Sequence, residues 1–270
     1  MTPDSTIPAY DEFLREESSR WRRQLFGWTL ILVLVLSFTG GTGLLDVRRL
    51  AEGIPSIFRL AGEMFPPDFR NAADWIKPLL QTFMMSIAGT VLALALSLPL
   101  GCLAASNIAP NRAVYWGARG ILNALRGLPE LILGVFFVAA VGFGVLPGVL
   151  ALGLHSAGMV GKFFAEVMEH VDPGPVEAVR STGASRLQEI IHGILPQVLP
   201  RMADVAIYRW EYHFRSSTVM GIVGAGGIGL ELLASLRLMQ YREVGAILIV
   251  VLVMVCLIDG FSGHLRRRFR

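Results

Sequence analysis

Residues 244–262 (VGAILIVVLVMVCLIDGFS) hold one charged side chain, Asp259, in nineteen positions. A helix of that length reaches about 28 Å, close to the ~30 Å hydrocarbon thickness of a bilayer. Comparable apolar runs recur at 25–45, 78–105, 129–146 and 148–168. A lone segment in lipid can satisfy its own backbone donors and acceptors only as a helix, so each run is expected to be helical. With 53% hydrophobic residues, 17% charged and a mean hydropathy of +0.56, the 270 residues leave little for a separate soluble domain. The same figures disfavour a cytosolic enzyme and a disordered regulator, and a net charge of +3 is small for counterion-driven nucleic-acid binding. Cys102 and Cys256 sit in apolar runs without the paired spacing of a thiolate metal site and read as core-sized hydrophobes.

Residues 1–24 mix Asp11, Glu12, Arg15, Glu16, Glu17, Arg20, Arg22 and Arg23, and no A-x-A site follows. They read as a cytoplasmic N-terminal segment before a retained first crossing at 25–45, rather than as a cleaved signal peptide. Residues 46–77 form a charge-balanced segment expected outside the cytoplasm. Pro99 is expected to bend the second crossing at 78–105. The stretch 113–127 fits an interfacial helix, Pro129 opens the third crossing at 129–146, and Pro147-Gly148 is expected to make the outer turn into the fourth at 148–168. Arg266, Arg267, Arg268 and Arg270 mark a cytoplasmic tail, 266–270. Two cytoplasmic termini require an even number of crossings. Five apolar runs are in hand, so a sixth is expected between 194 and 223.

That interval contains RMADVAIYRWEYHFRSSTVM (201–220), too ionic for a hydropathy window. At about 100° per residue Asp204, Tyr208, Glu211, Arg215 and Thr218 fall on one stripe, Arg209, His213 and Ser216 on roughly the opposite side, and Ile207, Trp210 and Phe214 on a third, apolar face. A charge at mid-membrane costs at least about 2.5–3.5 kcal/mol, so this helix is expected at the centre of the assembly, away from lipid. Glu211 and Arg215 are spaced to neutralise one another, which leaves Arg209 and His213 as a net-positive group suited to an anion. Two readings stand. Arg209, Glu211, His213, Arg215 and Ser216 line a translocation path, or the same groups tie helices together, for example Arg209 to Glu130.

Next comes GIVGAGGIG (221–229). Gly224, Gly226 and Gly229 match the letters of a dinucleotide fingerprint, but a membrane-crossing segment precedes them where that fingerprint needs a strand. With Gly227 they are expected to break a helix at membrane depth, where exposed backbone must be covered by protein or open to a watery cavity; tight helix packing is the alternative.

Between the fourth and fifth crossings, 172–196 reads as two short helices joined at Gly183, with Asp172 and Pro175 at the first start and Ser185 with Gln188 as a capping box for the second. Glu177, Ala178, Val179, Gly183, Leu195 and Pro196 follow the spacing E-A-A-x3-G-x9-I-x-L-P, with Val179 in place of the second alanine and Gly193 in place of isoleucine. This resembles the permease subunits of bacterial ABC importers. YRWE (208–211), VGAGGIG (223–229), RGLPELIL (126–133) and HSAG (155–158) extend the resemblance, from about residue 46 to the C-terminus, to the phosphonate-type permeases, which include relatives that handle phosphite or hypophosphite.

The resemblance implies an all-α integral membrane protein of about six transmembrane helices, of the type I importer architecture, in a bacterial inner membrane. It implies a transmembrane domain at 78–265 and a cytoplasmic coupling helix within 173–190 that docks on an ATPase through Glu177, Ala178, Val179 and Gly183, with Leu195 and Pro196 closing the motif. It also implies a second copy of the chain, two ATPase subunits that bind ATP and magnesium, and a periplasmic binding protein for a phosphorus oxyanion. The chain itself lacks G-x-x-x-x-G-K-[ST], and His155, His170, His192, His213 and His264 lack metal-ligand spacing, so no cofactor or metal is expected in it. Lys162 and Glu166 are spaced as a local ion pair. Two other classes predict different signs: an ion-coupled carrier would carry internal repeats, and a membrane enzyme acting on phosphorylated lipids would cluster acid, base and nucleophile at one interface.

Overall fold

The computed structural model describes residues 7–42 and 46–267, with side chains from Trp21 onward except Leu50. The expected first crossing therefore ends at 43–45 outside the described residues, as do residues 1–6, the Arg20 side chain, and Arg268 and Arg270 of the tail. The chain divides into two compact units, Met1–Glu63 and Met64–Arg270.

In the first unit, α1 (Ile7–Gly41) is one helix, so the expected N-terminal segment and first crossing are not separate elements. Its portion Trp21–Gly41 is long and apolar enough to cross a membrane. No proline interrupts it, and Thr29 and Thr39 return their hydroxyls to carbonyls one turn back. Helix α2 (Val47–Glu63) was not anticipated. The Asp46 carboxylate accepts the Arg49 N–H at 3.1 Å and starts it. Val47, Ile54 and Phe58 then share one face, and Arg48, Glu52, Arg59 and Glu63 the other.

The second unit is built on α3 (Ile76–Ala104) and α6 (Val145–Glu169). Without a hydrophobic force between helices in lipid, close backbone approach must supply the contact. Small residues provide it: a Cβ on Gly101 would lie 3.0 Å from the Gly161 carbonyl oxygen, and Ser97 Oγ donates to the Ala157 carbonyl at 3.2 Å. Helix α4 (Arg112–Gly127), capped by Asn111, turns through 87° into α5 (Glu130–Val141). The twelve residues of α5 rise only about 18 Å, so the third crossing is not a straight helix over 129–146. The following turn is Gly142-Phe143-Gly144, with φ of 87° and 134° at the glycines, and not Pro147-Gly148. Pro147 lies in the first turn of α6, where its missing N–H has no helical partner to lose.

Helix α7 (Pro173–Ser181) is capped by Asp172, and the Ser185/Gln188 capping box is present. The second short helix does not stop, however. α8 (Arg186–Gln188), a π-helical turn (Glu189–Ile194), α9 (Leu195–Met220) and a 3-10 turn (Gly221–Val223) form one continuous rod. Pro196 is tolerated because it falls at the start of α9. The rod bends by 45° into α10 (Ile228–Arg237), and α11 (Tyr241–Arg267) closes the unit. Among the described residues four helices are long and apolar enough to cross a membrane, and six spans result if each bent pair counts as one.

Candidate translocation path and coupling site

His213 is 0% exposed and bonded at both ring nitrogens: Nδ1 lies 2.8 Å from Thr90 Oγ1 on α3 and Nε2 2.6 Å from Ser156 Oγ on α6. The Thr90 hydroxyl donates to the Ser86 carbonyl at 2.7 Å, which assigns the imidazole proton to Nδ1 and makes Ser156 the donor to Nε2. His213 therefore joins three helices and has no free nitrogen to offer a passing ion. These bonds fit the alternative considered for it, a tie between helices.

Arg209 is different. It is 5% exposed, its guanidinium carbon lies 5.1 Å from the centre of the Tyr212 ring, and it makes no hydrogen bond or ion pair among the described residues. The considered tie to Glu130 is not a hydrogen bond either. Glu130, at the start of α5, accepts instead from Tyr212 Oη (3.1 Å) and Ser216 Oγ (2.9 Å), both through Oε1, while the buried Oε2 has no hydrogen-bond partner among the described residues. A largely enclosed cation and a half-used carboxylate thus flank Tyr212, an arrangement that costs free energy unless a further group completes it.

Glu211 pairs with Arg215 at 3.0 Å, as the spacing predicts. Its other oxygen accepts from Ser262 (3.0 Å) and Arg266 (3.3 Å) on α11, and Arg215 also lies 3.6 Å from Asp259. This link between α9 and α11 was missed, because Arg266 in sequence looks only like one of a run of tail arginines.

At the glycine-rich bend Gly224, Gly226 and Gly227 have φ of 97°, 77° and 76°. Protein covers the backbone there: Gln81 Oε1 accepts the Gly227 N–H at 3.2 Å, Thr82 Oγ1 accepts the Ile228 N–H at 2.9 Å, and the Gly144 N–H donates to the Gly224 carbonyl at 3.3 Å. Gly229 serves close packing instead, lying against Thr218 and Gly221.

On the candidate coupling segment Glu177 and Ala178 are exposed, Val179 is half-buried, and Gly183 takes φ of 80° in open space. Ala178, Val179, Thr182, Gly183, Gln188 and His192 line an open groove of about 630 Å³. Leu195 and Pro196 lie apart from it, at the base of α9. Gly193, the departure from the motif, faces α7: a Cβ there would sit 3.1 Å from Val176 Cα. Arg180 donates to both oxygens of Glu189, at 2.9 and 3.1 Å, and this bonding holds the Glu189 carboxyl below its ordinary range.

The model of the binding-protein-dependent transport system inner membrane component family matches residues 97–270. The chain belongs to this family. The phosphite transport system permease protein PtxC of Stutzerimonas stutzeri is 58% identical to the permease over 260 residues, covering 96% of this chain and 94% of that one. The phosphate-import permease protein PhnE of Mycolicibacterium smegmatis is 41% identical over 240 residues, 87% of this chain and 45% of that longer protein. Among solved structures, the permease is similar in fold to a chain of the MetNI methionine ABC transporter in an inward-facing conformation, with a TM-score of 0.63, 20% identity and coverage of 73% of this chain and 96% of that one. The permease is a multi-pass inner-membrane subunit of a phosphonate-type ABC importer, and the family description makes transport of this kind dependent on a binding protein. Neither an ion-coupled carrier nor a lipid-modifying enzyme accounts for these similarities.

Proposed function

We propose that the permease carries phosphite or a related phosphorus oxyanion (phosphonate, hypophosphite or phosphate) along a path that runs past Arg209, between two copies of the chain. The observation that carries this reading is the Arg209 guanidinium, buried on α9 over the Tyr212 ring with no hydrogen bond or ion pair among the described residues. Strong binding would trap the cargo, and a single cation attracts an oxyanion without clamping it. Glu211 and Arg215 neutralise one another and shape the path without adding net charge. The glycine-rich bend at 224–229 supports the outer end of α9. Segment 46–77 lies outside, both termini lie in the cytoplasm, and 173–190 docks on the ATPase through Glu177, Ala178, Val179 and Gly183. ATP-driven closure of the ATPases then moves the docked segments and turns the path from one side of the membrane to the other.

Uptake of labelled phosphite, methylphosphonate, hypophosphite and phosphate by cells carrying the permease with its own partners tests the cargo. Arg209→Gln should abolish that uptake while the complex still assembles. Unchanged uptake ends the path assignment. Gly183→Asp should block association with the ATPase; if association and uptake both survive, the docking assignment fails.

A further inference from the structure

Two polar fastenings join the ends of α7 to the rod that follows it. At the first, the Asp172 N–H donates to Gln197 Oε1 (3.0 Å), and Gln197 Nε2 donates to the Asp172 carbonyl (3.2 Å) and to the Gly193 carbonyl (2.7 Å). At the second, Arg180 grips both oxygens of Glu189, and Arg186 approaches the same carboxylate at 3.6 Å. The Glu189 side chain is 10% exposed and that of Arg180 57%, so the carboxylate end of this fork is withdrawn from water while the guanidinium stays half open to it. Between the fastenings Gly193 lets the Val176 backbone come close enough to leave almost no room for a side chain. The same rod carries Arg209 and Glu211 further along.

We infer that Glu189 and Gln197 are positioning residues that fasten the coupling helix to the path-bearing helix, so that α7 and the rod over 186–223 move as one lever. The lever rests on the reading that 173–190 docks on the ATPase. A π-helical turn is a common place for a helix to adjust. Here its first residue, Glu189, and its fifth, Gly193, are both held against α7 or its neighbours, which opposes a hinge at that turn. Displacement of α7 by the ATPases then reaches Arg209 and the bond to α11 without loss in an intervening joint.

The test uses the full complex in a background lacking Cys102 and Cys256, with spin labels at Thr182 and Leu199. One narrow distance distribution is expected both without nucleotide and with ATP bound. A distance that changes between those states overturns the lever. In Glu189→Arg combined with Gln197→Ala the distribution should broaden, and phosphite uptake should be lost while ATP hydrolysis continues. With Gln197 intact, Glu189→Arg alone should also broaden the distribution, and adding Arg180→Glu to it restores the pair with reversed charges and should narrow the distribution and recover uptake, which a merely destabilised protein would not do. Full uptake with the fastenings broken also overturns the proposal. If the ATPase does not co-purify with the wild-type permease, the docking reading falls and the lever with it; co-purification with a freely moving α7 removes the lever alone.

Discussion

The carbonyl oxygen of Thr218 occupies the space that a side chain on Gly229 would need. The obstacle is backbone and cannot rotate away. Gly229→Ala is therefore expected to destabilise by at least the ~1–3 kcal/mol typical of overpacking. Gly260, with nothing within 4 Å of its would-be Cβ, supplies the control. Thermal unfolding in detergent should show a clear loss for Gly229→Ala and none for Gly260→Ala.

Replacing His213 by alanine removes the acceptor for Ser156 and the donor to Thr90 inside the contact of α3, α6 and α9. Each buried polar group left unmatched costs about 1–3 kcal/mol. His213→Ala should lower the unfolding temperature while uptake per folded transporter stays near wild type. Arg209→Gln should do the opposite, sparing stability and removing transport. If both variants lose stability and transport in the same proportion, the separation of their roles is wrong.

Glu211 holds Arg215 and Arg266, whose side chains are 43% and 30% exposed. Breaking a fully buried pair by removing one partner costs about 3–5 kcal/mol, and water reaching these arginines reduces that to about 1–3 kcal/mol. Glu211→Ala should therefore destabilise moderately. Arg266→Ala should cost less, since Arg215 and Ser262 still satisfy the carboxylate. Equal losses from the two variants would contradict a hub at Glu211.

The fastening at Glu189 should depend on pH in a known direction. Hydrogen bonding from Arg180 lowers the carboxyl from its ordinary 4.5 in the folded chain. A depressed folded value means the stabilisation is complete above about 4.5, the unfolded value, and is lost as pH falls through the lower folded one. The Thr182–Leu199 distance distribution should stay narrow through mildly acid conditions and broaden only below the usual carboxylate range. In Glu189→Ala it should be broad throughout, with no pH step.

Features written in local spacing were legible in the sequence: the apolar runs, the Asp172 cap, the Ser185/Gln188 box, the Glu211–Arg215 pair and the glycine-rich bend. α2 is also written locally, as a helical alternation over 47–63, but its balanced charges mask the period. The outer turn was misplaced because proline was read as a stop, although the first turn of a helix accepts it and the positive φ values fall on Gly142 and Gly144. The partners of His213 were out of reach for a different reason. Thr90 lies 123 positions away and Ser156 57, and no periodicity links residues that meet only when α3, α6 and α9 pack. The extension of the coupling segment into α9 is hidden in the sequence because Pro196 resembles a terminator, whereas here it follows a π-helical turn at the start of α9.

Several glycines in succession usually suggest slack in a chain. Around 224–228 the amides of Gly224, Ala225, Gly227 and Ile228 are each claimed, two of them by side chains of α3. The chain turns that corner as a fixed bracket bolted to its neighbour, so any rocking during the transport cycle has to come from whole helices sliding past one another rather than from a flexing elbow.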